Sequence, residues 1–377
     1  MNKRIWLSLA HMGGREQDFI KEAFDTNWVV PLGPNVDAFE QSLAEYLHED
    51  RHVVALSAGT AALHLGLILL DVKPGDEVIC QSFTFAASAN PISYLEAKPV
   101  FVDSEKDTWN MDPVLLEEAI KDRLRKTGRL PKAIIPVHLY GMPAKMDEIM
   151  EIAGRYGIPV LEDAAEALGS ELNGQRCGTF GELAALSFNG NKMITTSGGG
   201  ALIVADEDAK KQTMYYATQA REPFPYYQHE HIGYNYRMSN IVAGIGRGQM
   251  KVLDQRIEQK RHIFAYYQEH LGDLEGLSFM PLHENERANC WLSVIQLAPD
   301  CKVRPLDMIV ALEKEDIETR PVWKPMHMQP VFADCDYIDN GKVGENLFEN
   351  GVCLPSDTKM TDEDLKRICT IIRGLWK

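Results

Sequence analysis

The sequence predicts an α/β fold: a mostly parallel central sheet with helices on both faces, followed by a smaller C-terminal α+β unit. Three observations carry this expectation. Short β-rich runs alternate with longer helical patterns from about residue 52 to 205, as parallel strands joined by crossover helices require. A chain of 377 residues is long enough for one large core with an appended smaller unit. Beyond about residue 275 short strands and helices mix without that alternation.

His52-Val53-Val54-Ala55-Leu56 reads as the first strand and ends at Ser57-Ala58-Gly59-Thr60, before a mostly buried helix from Ala61 to Leu70. Pro74-Gly75-Asp76 turns the chain into the strand Glu77-Val78-Ile79-Cys80. Pro99-Val100-Phe101-Val102-Asp103 and Ala133-Ile134-Ile135-Pro136-Val137 are further strands, with helical periodicity over 112–125 between them. An amphipathic helix over 146–156 leads into the strand Ile158-Pro159-Val160-Leu161, which ends in Glu162-Asp163. Asn173-Gly174 marks a hairpin turn. Leu183-Ala184-Ala185-Leu186 and Ala201-Leu202-Ile203-Val204-Ala205 flank a loop that carries Lys192. One long helix is expected from Ser239 to about His270, linking a large domain (1–250) to a small one (251–377).

Composition excludes several classes. Hydrophobic residues make up 45% and charged residues 25%, an ordinary globular balance with no disordered bias. The formal net charge of −16 opposes nonspecific binding to nucleic acid or anionic membranes. No run of about 18 apolar residues suggests a membrane span. The apolar run after Lys3-Arg4 is too short for a signal peptide. The 7 scattered cysteines form no Cys-x-x-Cys pair and fit reduced thiols, so a cytoplasmic protein is expected. His229-Glu230-His231 lacks the spacing of a helical zinc site, so no metal is expected. Neither a dinucleotide fingerprint nor a nucleophilic-serine elbow is present: Gly244-Ile245-Gly246-Arg247-Gly248 falls inside a helical pattern.

Ligands of open α/β sheets bind outside the carboxyl ends of the strands, where Ser57, Asp163 and Lys192 all fall. A lone lysine on a glycine-bounded loop and an aspartate ending a buried strand read, taken singly, as an exposed loop lysine and a surface aspartate; together they suit pyridoxal phosphate chemistry. The amine would bond to the cofactor aldehyde, and the carboxylate would keep the pyridine nitrogen protonated. Gly59 and Thr60, at a helix N-terminus, read either as a phosphate site or as an ordinary helix cap. In Ser82-Phe83-Thr84-Phe85 an aromatic could cover a cofactor ring, or both phenylalanines could be core. Glu166, three residues after Asp163, reads as a cofactor contact or as a solvated helix face.

Taken together, these segments resemble the DegT/DnrJ/StrS-type sugar aminotransferases. The resemblance rests on Ser57 to Leu63, Ser82 to Phe85, Pro136-Val137-His138-Leu139-Tyr140-Gly141, Glu162 to Glu166 and Ser187 to Lys192. Ile232-Gly233-Tyr234-Asn235-Tyr236-Arg237-Met238-Ser239 and Pro325-Met326-His327-Met328-Gln329-Pro330 extend it, from about residue 8 to the C-terminus. It implies the aspartate aminotransferase-like fold (pyridoxal phosphate fold type I), with a seven-stranded central sheet, and a homodimer with shared active sites. By position it makes Lys192 and Asp163 the catalytic pair. Phe85 would stack on the ring, Glu166 would lie near its hydroxyl, and Ala58, Gly59, Thr60 and Ser187 would hold the phosphate. Asn235 would reach the cofactor phosphate of the neighbouring subunit. Trp28, Val29, Val30, Pro31 and His327 would contact the sugar nucleotide, with Arg237 and Arg320 as anion contacts.

The implied reaction moves an amino group from L-glutamate to C4 of a nucleotide-linked 4-keto-6-deoxyhexose. Within the family, Trp28 to Pro34, Asn189-Gly190-Asn191-Lys192 and Ser197-Gly198-Gly199-Gly200 point to the subgroup making UDP-4-amino-4,6-dideoxy-N-acetyl-glucosamine. Its substrate would be UDP-2-acetamido-2,6-dideoxy-4-hexulose. A GDP-perosamine-type or 3-keto sugar aminotransferase is the alternative, and a non-catalytic regulatory protein on this fold is an alternative of another class. The chain departs from the family pattern where Ser197 to Gly200 lacks a common glutamate, and Glu166 stands where glutamine or histidine is also frequent. Dehydratase relatives replace the lysine by histidine; this chain keeps Lys192, which favours transamination.

Overall fold

A computed structural model describes residues 3–47, 50–283 and 285–377. The chain opens with α1 (Glu16–Asp25), α2 (Pro34–Leu47), β1 (His52–Leu56), α3 (Gly59–Leu69) and β2 (Glu77–Gln81). Next come α4 (Asn90–Tyr94), β3 (Lys98–Val102), α5 (Pro113–Thr127), β4 (Ala133–Ile135), α6 (Met146–Tyr156) and β5 (Leu161–Asp163). A hairpin of β6 (Glu171–Leu172) and β7 (Gln175–Arg176) precedes β8 (Leu183–Ser187), β9 (Gly200–Val204), α7 (Glu207–Ala217), α8 (Asn240–Met250) and α9 (Leu253–Leu271). The remainder holds β10 (Leu277–Phe279), β11 (Glu286–Arg287), β12 (Ser293–Leu297), α10 (Pro305–Glu313) and β13 (Arg320–Pro321). It ends with β14 (Tyr337–Ile338), α11 (Val343–Asn350), β15 (Gly351–Leu354) and α12 (Asp362–Gly374).

The central sheet runs β3-β2-β4-β5-β8-β9-β1. Parallel bridges Ile134↔Val160 and Val137↔Asp163 join its halves between β4 and β5. β9 alone among these seven runs against its neighbours, so the expected mostly parallel seven-stranded sheet is present. β14 adds a further strand parallel to β3. Strand alternation sends Val53 and Ala55 toward α2, where Phe39 and Leu43 are fully buried. Val54 and Leu56 face the opposite way, onto Leu63 and Leu67 of α3. Further along the sheet, α5 and α6 cover Ile79, Val100 and Ile134.

The second sheet, β10-β12-β15-β13, is antiparallel throughout and packs on α9, α10 and α12. The N-terminal Ile5 is buried with this sheet rather than the central one and pairs with Ile317. No helix among the described residues is long and apolar enough to cross a membrane.

Two local expectations need correcting. β5 begins at Leu161 rather than 158, so Glu162 and Asp163 belong to the strand and alternate across the sheet. The long helix expected from Ser239 to His270 is two helices, broken at Lys251 and Val252. They meet different partners. α8 presses Gly246 and Gly248 against Phe39 and Glu16, whereas α9 buries Ile263, Tyr267 and Leu271 beneath the second sheet. The Asn173-Gly174 hairpin is as expected, with both residues at positive φ (51° and 80°).

A methyl group on Gly248 would lie 2.8 Å from Glu16 N and 2.9 Å from its Cα, which is backbone and cannot swing aside. Alanine gains about 1 kcal/mol in helix propensity, but overpacking costs about 1–3 kcal/mol. Gly248→Ala is therefore expected to destabilise the fold by roughly 1 kcal/mol. A urea midpoint that stayed level or rose would show that propensity wins.

Candidate active site

The carboxyl ends of β1, β2, β5 and β8 open onto a cavity of about 360 Å³. Its wall includes eight of the expected cofactor residues: Ala58, Gly59, Thr60, Phe85, Asp163, Glu166, Ser187 and Lys192. At one end α3 begins at Gly59 with no side-chain cap, and Ala62 N–H is the first to find a backbone acceptor, Ala58 O. Preceding N–H groups of that turn leave a partial positive charge beside Ser187, suited to a phosphate. The approach is close: a methyl group on Gly200 would lie 2.3 Å from Gly59 N. The loop before it turns without the missing glutamate, because Ser197 adopts a φ of 75° and donates its N–H to Thr195 Oγ1 at 2.9 Å.

Alternation along β5 divides two adjacent acids between two tasks. Glu162 points away from the cavity and accepts the N–H groups of Gly178, Phe180 and Gly181 at 2.7–2.8 Å, and contacts His138 Nε2 at 2.9 Å. It fastens a loop. Asp163 faces the cavity, 5% exposed, with Oδ2 accepting Ser88 Oγ at 2.6 Å and Oδ1 accepting Ala165 N–H at 3.1 Å. These donors are neutral, so the carboxylate charge has room for a cationic N–H partner.

Glu166 is buried rather than on a solvated helix face. Its Oε1 accepts Lys192 Nζ at 2.9 Å and its Oε2 accepts Tyr140 N–H at 2.8 Å. Burial pushes its carboxyl up, and the pull from Lys192 and the Tyr140 N–H does not fully reverse that. Two buried carboxylates therefore share the wall with one lysine, an imbalance that a protonated pyridine nitrogen would correct. The residues present thus fit pyridoxal phosphate.

The two phenylalanines left open by the sequence divide. Phe83 is fully buried, whereas Phe85 is 56% exposed, its ring 5.5 Å from that of Trp323. Trp323 reaches the cavity from beyond β13, its N–H bonded to Tyr140 Oη at 3.1 Å. Tyr140, at a φ of 55°, thereby connects Glu166 to Trp323.

The remaining expected residues do not line this cavity. Asn235 is exposed on a segment beside β1. Trp28, Val29, Val30 and Pro31 are exposed, with Trp28 O and Val30 O bonded to Asn240. His327 stacks on Tyr337 at 3.6 Å and bonds Ser82 Oγ through Nδ1 at 2.7 Å. Arg237 is 8% exposed and bonds Glu40 Oε1 at 2.9 Å and Ala55 O at 3.3 Å. Arg320 borders a neighbouring hollow with Trp291, Trp323 and Lys324, its guanidinium on Glu318. Trp323, Trp291 and Ser88 were missed because they reach the site through long-range packing and carry no local pattern.

The chain is similar to known proteins along nearly its whole length. The model of the DegT/DnrJ/EryC1/StrS aminotransferase family matches residues 11–373. A putative pyridoxal phosphate-dependent aminotransferase, EpsN of Bacillus subtilis, is 50% identical over 100% of this chain and 97% of its own. The GDP-perosamine synthase of Caulobacter vibrioides is 36% identical over 97% and 96%. A crystal structure of a family member from Brucella abortus superposes with a TM-score of 0.89 at 30% identity, covering 96% of this chain and 95% of that one.

Asp163→Asn removes the charge facing the cavity while keeping its shape. It is expected to weaken pyridoxal phosphate retention about 10- to 100-fold, as for a lost charged hydrogen bond. Ser88→Ala should cost less, because Ala165 N–H still orients the carboxylate. Equilibrium dialysis followed by cofactor absorbance measures both; equal retention in Asp163→Asn and the unsubstituted protein would remove Asp163 from the site.

Proposed function

The chain belongs to the DegT/DnrJ/EryC1/StrS aminotransferase family, and from that premise we propose that it moves an amino group from L-glutamate to C4 of a nucleotide-linked 4-keto-6-deoxyhexose. It is a pyridoxal phosphate-dependent sugar aminotransferase; donor, nucleotide and position on the sugar are our reading. The observation that carries it is Lys192, an amine held on Glu166 in the same cavity as Asp163. A histidine there would favour dehydration. The favoured sugar is UDP-2-acetamido-2,6-dideoxy-4-hexulose. The similarity to a GDP-perosamine synthase supports a GDP-linked 4-keto sugar as the second reading.

Bound pyridoxal phosphate supplies an aldehyde that carries the amino group between substrates and a ring that accepts electrons. The first turn of α3, with Ser187, binds its phosphate. Asp163 would hold a proton on the ring nitrogen, and Ser88 keeps the aspartate carboxylate in place by donating to Oδ2. Phe85, on the cavity wall with its ring 5.5 Å from that of Trp323, would stack on the cofactor ring. Lys192 Nζ takes the proton from the donor carbon and returns one to the acceptor carbon, with Glu166 fixing its starting position. In a homodimer, the exposed Asn235 would reach the partner's cofactor phosphate. Placement in the cytoplasm agrees with free thiols at all 7 cysteines.

Purified enzyme incubated with glutamate and UDP- or GDP-linked 4-keto sugars, or their 3-keto isomers, should form an amino sugar fastest from the UDP-linked 4-keto compound. Mass spectrometry reads the product. Faster amination of a 3-keto isomer would overturn the position assigned. Lys192→Ala should lower the rate about 10²- to 10⁴-fold, the range for a lost general acid–base.

A further inference from the structure

Trp291 is buried to 2% exposure in the segment between β11 and β12, with its indole against the loop that carries Lys192. Two contacts tie it there. Lys192 Nζ lies 4.3 Å from the centroid of the Trp291 ring, within the range of a cation–π interaction. Indole Nε1 donates to Asn191 O at 2.7 Å, the carbonyl immediately before the lysine. One side chain thus grips the lysine at its tip and at its root.

The backbone around Trp291 is shaped for that placement. Cys290 takes a φ of 52°, a left-handed conformation unfavourable for a residue with a side chain. Trp291 N–H donates to Asn289 Oδ1 at 2.9 Å, and Asn289 Nδ2 donates to Glu166 O at 2.8 Å and Leu168 O at 3.0 Å. The three residues therefore clip both partners of the Lys192–Glu166 pair. Burial alone would give the indole N–H some acceptor, but not one in the lysine's own backbone together with the ring face beneath its Nζ.

We propose that Trp291 is a positioning residue for Lys192: its ring face steadies the amine beside Glu166, and its N–H anchors the lysine's own backbone. This rests on Lys192 being the proton carrier described above. The ring contact is electrostatic, so it restrains the ammonium form of Lys192 without a covalent bond that must break before the side chain moves.

Trp291→Phe keeps an aromatic face but loses the N–H, and Trp291→Leu loses both. In the full-length apoenzyme, trace acylation of amines followed by peptide mass spectrometry reports how well Lys192 is held. Labelling of Lys192 should rise about 2- to 30-fold in Trp291→Leu and less in Trp291→Phe. The buried Lys260, bonded to Ser8 Oγ and Ser356 O, should stay unchanged. In the holoenzyme kcat should fall about tenfold with KM for glutamate little altered. Unchanged Lys192 labelling, a parallel rise at Lys260, or a raised KM at constant kcat would each overturn the proposal. If Lys192→Ala retained amination, the functional reading would fall while the labelling result stood, so the two failures are distinguishable.

Discussion

Asp163 and Glu166 are buried on one cavity wall where Lys192 is the lysine among the described lining residues. Removing a carboxylate from water costs several kcal/mol unless charge or hydrogen bonds compensate. Glu166 is compensated within the chain by Lys192 and by the Tyr140 N–H. Asp163 has only neutral donors among the described residues, so its charge would be balanced by a cationic ring nitrogen in the proposed cofactor complex. Cofactor binding and the electrostatics of the wall are therefore one problem. The phosphate end follows the same logic with opposite sign: the open first turn of α3 offers positive partial charge to an anion.

The central sheet alone does not complete the site. Trp323 lines the cavity from beyond β13, and the Asn289 to Trp291 clip reaches in from between β11 and β12. Tyr140 joins the two parts, its N–H on Glu166 and its hydroxyl accepting from Trp323. Gly141 shows how closely they approach, since a methyl group there would lie 1.9 Å from Asn289 Oδ1. Relative movement of the second sheet would thus be felt at Glu166 and Lys192.

Strands whose two faces are both buried were readable because short apolar runs bounded by turns recur, as in His52–Leu56 and Gly200–Val204. The helix at Met146–Tyr156 and the Asn173-Gly174 turn were legible for equally local reasons. Expectation failed where partners at long range decide. Nothing within 239–270 says that α8 must press glycines on α1 and α2 while α9 turns beneath another sheet. The pairing of Arg237 with Glu40, 197 residues away, likewise has no local signal.

By itself the sequence determined the parallel architecture, the strand ends that gather Gly59, Asp163 and Lys192, and, through resemblance, the family. These depend on short-range periodicity and on ordered motifs. Tertiary structure alone decided that Glu162 fastens a loop while Asp163 faces the cavity, and that Phe83 is core while Phe85 is open. It also decided that Trp323 lines the cavity and that Trp291 packs against Lys192. The reason is physical: which way a side chain points and which charge it meets depend on neighbours distant along the chain, and no local pattern encodes them.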